Sequence, residues 1–88
     1  MGTLTGRPAP GFGPWRDDID KAERLARLRE LRALAYLLVP NSPLAAALKA
    51  AETGDPAALD AALAELDRLP ALARRRILAT YAALSRPS

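Results

Sequence analysis

The segment DDIDKAERLARLRELRALAYLLV, residues Asp17 to Val39, decides how the rest of the chain is read. At 3.6 residues per turn, Ile19, Ala22, Leu25, Ala26, Ala33, Tyr36 and Leu37 fall on one broad face, with Arg16, Asp20, Glu23, Arg24, Arg27 and Glu30 opposite. That spacing predicts a helix with one side buried and one side wet. From Leu31 the pattern changes. Leu31, Leu34 and Leu38 stand on the formerly polar side, and Arg32 is the only charge before Pro40. A helix that is apolar all round must be covered all round. Leu31, Leu34 and Leu38 are therefore expected to contact another subunit or a partner, or to lie beneath the last helix.

Both ends of this helix are marked. Asp17, Asp18 and Asp20 are expected in its first turn, where carboxylates favour the positive end of the helix dipole. Asp20–Arg24 and Glu23–Arg27 are spaced for i,i+4 pairing. Pro40 cannot continue the helix and biases Val39 out of the α region. A coiled coil fails on register. Leu28, Leu31, Ala35 and Leu38 suit the a and d positions, but Lys21 and Arg24 precede them, and two heptads are too few.

Downstream, Pro40-Asn41-Ser42-Pro43 is a tight connection in which Asn41 or Ser42 can cap a second helix, with Pro43 at its first position. Leu44, Ala47, Leu48 and Ala51 give that helix one apolar face, running to about Thr53. Gly54 sits where a left-handed residue ends a helix, Asp55 caps the third helix, and Pro56 opens it. Leu59, Ala62, Leu63 and Leu66 follow at i, i+3, i+4 and i+7. Leu69-Pro70 separates the third helix from a fourth, whose apolar face is Ala73, Ile77, Thr80, Tyr81 and Leu84. The hairpin from Leu44 to Pro70, with its Gly54-Asp55 turn, the small Ala58 and Ala62, and the closing Pro70, is similar to a single tetratricopeptide-type helical hairpin. The aromatic positions of that repeat are absent and no second copy follows, so the resemblance implies a shared way of building a helix pair.

Upstream, Met1 to Pro14 holds four glycines and three prolines and reads as a flexible arm. Its aromatic neighbours Phe12 and Trp15 either dock back on the long helix as a local staple or anchor another protein. The expected organisation is an arm over residues 1–14, a single helical domain over 15–85 and a frayed tail over 86–88. The fold class is all-α: a small bundle of one long helix, a helical hairpin and a C-terminal helix.

Composition narrows the function. The chain of 88 residues has 20 Ala and 16 Leu but one Phe and one Trp. Alanine favours helix yet buries little area, and so small a domain is marginal alone. A homo-oligomer that completes the core between subunits is therefore expected. Without Cys or His there are no disulfides, thiolate catalysis, zinc fingers or imidazole chemistry. No apolar run reaches the ~18 residues of a membrane span, and the N-terminus shows no secretory apolar core. A cytoplasmic protein is expected, with an Ala/Leu/Arg-rich composition of bacterial type.

No motif for chemistry stands out. Asp17, Asp18 and Asp20 fan around a helix turn instead of converging as metal ligands. Ser42, Thr53, Thr80, Ser85 and Ser88 have no histidine to activate them, and a Ser–Lys dyad with Lys21 or Lys49 has no supporting spacing. The glycines form no phosphate-cradling loop. No cofactor, metal or catalytic residue is expected, and the chain reads as a non-enzyme. The charge is uneven: residues 40–69 carry Lys49 and Arg68 against Glu52, Asp55, Asp60, Glu65 and Asp67, while residues 70–88 carry Arg74, Arg75, Arg76 and Arg86 with no acid. The expected function is protein–protein interaction, as an adaptor, accessory subunit or self-assembling oligomer, through Phe12, Trp15, Leu31, Leu34 and Leu38. The alternative is a nucleic-acid-binding accessory protein of phage or mobile-element type, with Arg74, Arg75, Arg76 and Arg86 on phosphates.

Overall fold

The structure is a computed structural model that describes residues 12–85. It is all-α: a short 3-10 turn, Gly13–Trp15, precedes α1 (Lys21–Leu38), α2 (Leu44–Ala51), α3 (Pro56–Arg68) and α4 (Ala71–Ser85), with no strand among the described residues. No helix among them is long and apolar enough to cross a membrane. The greater part of the expected arm, residues 1–11, and the expected tail, 86–88, lie outside the described residues. The expected arm boundary at Pro14 falls inside ordered structure, because the 3-10 turn begins at Gly13.

The long helix begins later than its acidic residues suggested. Asp20 is its cap: the backbone there is extended, and the carboxylate accepts from the Glu23 N–H at 2.8 Å. Asp17 and Asp18 precede the helix, and Asp18 pairs with Arg16 instead. Glu23–Arg27 forms as expected, at 2.8 Å. Asp20–Arg24 does not, since the cap occupies Asp20 and Arg24 turns to backbone carbonyls. The helix ends at Val39, whose N–H reaches the Ala35 carbonyl before Pro40.

The buried face of α1 is the reverse of the expected one. Leu28, Leu31, Leu34 and Ala35 form its core side, whereas Ala22, Ala26, Ala33, Tyr36 and Leu37 face outward. Leucine removes far more apolar area from water than alanine, so the leucine stripe outweighs the alanine-rich one. The arginines beside that stripe are recruited into contacts between elements instead of being solvated.

α1 packs on α2 and α4, and α2 packs on α3. The second helix starts with the Ser42 hydroxyl accepting from the Leu44 N–H, Pro43 holding the cap position one residue before the helix. It stops at Ala51, two residues short of expectation, and Gly54 turns the chain with φ of +87°. Asp55 caps α3 and Pro56 is its first residue. Leu44, Leu48, Ala51, Ala62 and Leu66 are fully enclosed between these helices. Each such leucine contributes roughly 1.5–3 kcal/mol, and the alanines let the helix axes come close. α4 supplies Ile77 and Tyr81, while Leu84 at its end stays exposed.

Candidate interaction surfaces

The segment before α1 is held by a set of guanidinium-to-carbonyl bonds. Arg24 Nε donates to the Pro14 carbonyl at 3.0 Å and its Nη2 to the Arg16 carbonyl, while Arg27 Nη1 donates to the Gly13 carbonyl at 3.2 Å. The Gly13 carbonyl also closes the 3-10 turn by accepting from the Arg16 N–H at 3.3 Å, and the fork of a guanidinium is suited to carbonyls exposed at such a turn. The aromatic side chains complete the docking. Phe12 stacks on Trp15 with ring centroids 6.1 Å apart and tilts against Tyr81 at 5.5 Å. Trp15 Nε1 donates to the Leu59 carbonyl at 2.9 Å. Phe12 and Trp15 therefore pack against the core of their own chain, the docking expected as the alternative to a partner anchor.

Leu31, Leu34 and Leu38 likewise join the core of their own chain, the alternative to contact with another subunit or a partner. Leu31 is fully buried, Leu34 is 6% exposed, and Leu38 is partly buried against the same core. A partner cannot reach the first two. Among the described residues, the large apolar side chains at the surface are Tyr36 (56% exposed) and Leu37 (76%) on α1 and Leu72 (76%) and Leu84 (57%) on α4. Sequence patterning missed Tyr36 and Leu37 because the α1 faces were exchanged. Leu72 lay off every expected stripe, and that was the signal that could have found it.

The arginine cluster divides in two. Arg74 Nη1 donates to the carbonyls of Asp67 and Leu69, both at 3.0 Å, and so satisfies backbone groups at the end of α3. Arg75 and Arg76 are exposed, form no ion pair among the described residues, and flank a shallow apolar depression with Leu72 and Ala79 of about 360 Å³. Arg86 lies outside the described residues.

Other charges pair within the chain. Glu52, at the end of α2, meets Arg32 Nε at 3.0 Å and Arg29 Nε at 3.8 Å, tying α2 to α1. Its Oε2 is enclosed, and the contact with Arg32 is an ion pair without hydrogen-bond alignment. Arg16 grips Asp18 through two bonds of 2.7 and 2.6 Å. Those hydrogen bonds hold the Asp18 carboxylate below its usual range and Arg16 above its own. Both groups are solvent-exposed, so the pair adds little stability. Among the described residues no cluster of three or more acidic, His or Cys side chains is arranged to hold a metal ion.

No protein-family model matches the chain, and neither a curated protein nor a solved structure resembles it at a significant level.

Proposed function

We propose that the chain is a non-enzymatic protein–protein interaction module, an adaptor, accessory subunit or self-assembling piece, working in the cytoplasm of a bacterial cell. The observation that carries this reading is the exposure of Tyr36, Leu37, Leu72 and Leu84 on two helices of so small a domain. Large side chains at the surface of two helices lose water on contact with a partner, and aromatic and leucine groups there supply most of an interface's apolar area.

The test is the mass of the protein in solution, alone and in cell lysate, for the wild type and for Leu37→Ser and Leu72→Ser. Association that weakens in either variant, at an unchanged melting temperature, supports the module. A protein that stays monomeric and captures nothing removes it. A second reading, a nucleic-acid-binding accessory protein, is favoured by one observation: Arg75 and Arg76 are exposed and form no ion pair among the described residues, on a helix with no acid. Retardation of duplex DNA or RNA at ~150 mM salt, lost when both become Gln, would move the assignment there.

A further inference from the structure

We propose, resting on the interaction-module reading, that the partner of this surface is a second copy of the chain, joined head to tail, with the outer face of α4 against the outer face of the next copy's α3.

The two faces are complementary in charge. Asp60 and Asp67 of α3 are exposed, lie seven residues apart on one side of the helix, and form no ion pair among the described residues. The neighbouring acids are already engaged: Glu52 by Arg29 and Arg32, Asp55 as the cap of α3, and Glu65 by Arg68. Between the two aspartates lie the exposed Ala61 and Ala64, with Ala57 one turn before. Alanines of this kind leave a shallow floor on which another helix can settle.

The outer face of α4 has the matching form. Leu72 and Ala79 run down its middle, seven residues apart, and Arg75 and Arg76 stand on either side of that line because successive residues are about 100° apart around a helix. Asp60 and Asp67 are separated by about 10.5 Å along their axis, at 1.5 Å per residue. Arg75 and Arg76 are separated across the α4 axis and the aspartates along the α3 axis, so two helices crossing near a right angle bring one guanidinium to each carboxylate and press Leu72 onto the alanine floor. The faces differ, so the contact is heterologous: each copy offers a free face at both ends, and the assembly closes into a ring or grows as a chain.

The experiment measures mass by light scattering over a range of protein concentrations at ~50 mM and ~500 mM salt, using the full-length wild type, Arg75→Glu/Arg76→Glu and Asp60→Lys/Asp67→Lys. The expected result is a wild-type mass that climbs well above the 9.4 kDa protomer and falls back with salt. Each double variant alone stays at the protomer mass, and an equimolar mixture of the two associates again, because every contact in it can pair opposite charges. Arg75→Gln/Arg76→Gln and Asp60→Asn/Asp67→Asn give the same loss should either reversal disturb the circular dichroism spectrum. A wild type that stays at the protomer mass, association insensitive to these substitutions, or a mixture that remains monomeric would overturn the proposal. A monomeric wild type that captures another protein through Leu37 or Leu72 overturns self-assembly and leaves the module standing. A monomeric wild type that instead retards nucleic acid through Arg75 and Arg76 overturns both.

Discussion

The indole nitrogen of Trp15 donates to the carbonyl oxygen of Leu59 across 44 residues of chain. Leu59 sits in the first turn of α3, so this bond ties the segment before α1 to a helix three elements on. With Phe12 on Tyr81 of α4, that segment touches parts of the fold that α1 alone would not connect.

Trp15→Phe should cost about 0.5–1.5 kcal/mol, the net worth of one hydrogen bond, while keeping most of the apolar contact. Trp15→Ala loses both and should cost about 3 kcal/mol. Urea unfolding followed by circular dichroism separates the two. Equal stability of Trp15→Phe and Trp15→Ala would show that ring packing contributes nothing.

Gly54 and Gly13 both have positive φ, but their surroundings differ. A Cβ on Gly54 meets nothing within 4 Å, so Gly54→Val should cost only the conformational penalty of about 1–2 kcal/mol, with Gly54→Asn costing less. A Cβ on Gly13 meets the Tyr81 ring at 3.1 Å. Gly13→Ala should therefore lower the melting temperature more than Gly54→Ala does, and the reverse order would mean that the Tyr81 ring yields freely.

Leu34→Glu places a charge in the core and should unfold the domain, since even Leu→Ala at such a site costs about 2–5 kcal/mol. Leu37→Glu, on the outward side of the same helix, should leave the melting temperature within the ~0.5 kcal/mol typical of surface changes. Thermal scans of the two variants check the assignment of the α1 faces. A stable Leu34→Glu would overturn it.

Arg74→Gln removes a donor from two carbonyls and should destabilise by about 1–2 kcal/mol. Arg75→Gln/Arg76→Gln should leave stability unchanged. If those two side chains reach phosphates, the same pair of changes removes about two units from the log–log salt slope for duplex DNA. Denaturation and retardation assays on both variants separate structural from surface roles.

The punctuation of the fold was legible in the sequence. Gly54, Asp55, Pro56 and Pro70 each force a backbone state that few alternatives satisfy, and the helices break where they stand. The stripe of α3 was legible because leucine and alanine positions there agree on one face. On α1 they disagreed, and a count of apolar positions favoured the alanine-rich side where area favoured the leucines. The roles of Arg24 and Arg74, and the second contact of Arg27 beside its Glu23 pair, were not legible, because those partners are backbone carbonyls of other elements, which carry no residue-type signature. Phe12 and Trp15 depended in the same way on Tyr81 and Leu59, far along the chain.

Trp15 is the only tryptophan, and it stands at the joint between the leading segment and α3. Its emission therefore reports the environment of that joint and of no other place in the molecule. The α1–α2 and α2–α3 contacts join neighbours in sequence, whereas the joint closes a far longer loop, an order of events that favours late formation. Stopped-flow fluorescence would then lag behind stopped-flow circular dichroism during refolding. In the native state, quenching of the indole by a small solute would register local release of the segment while the four helices remain intact.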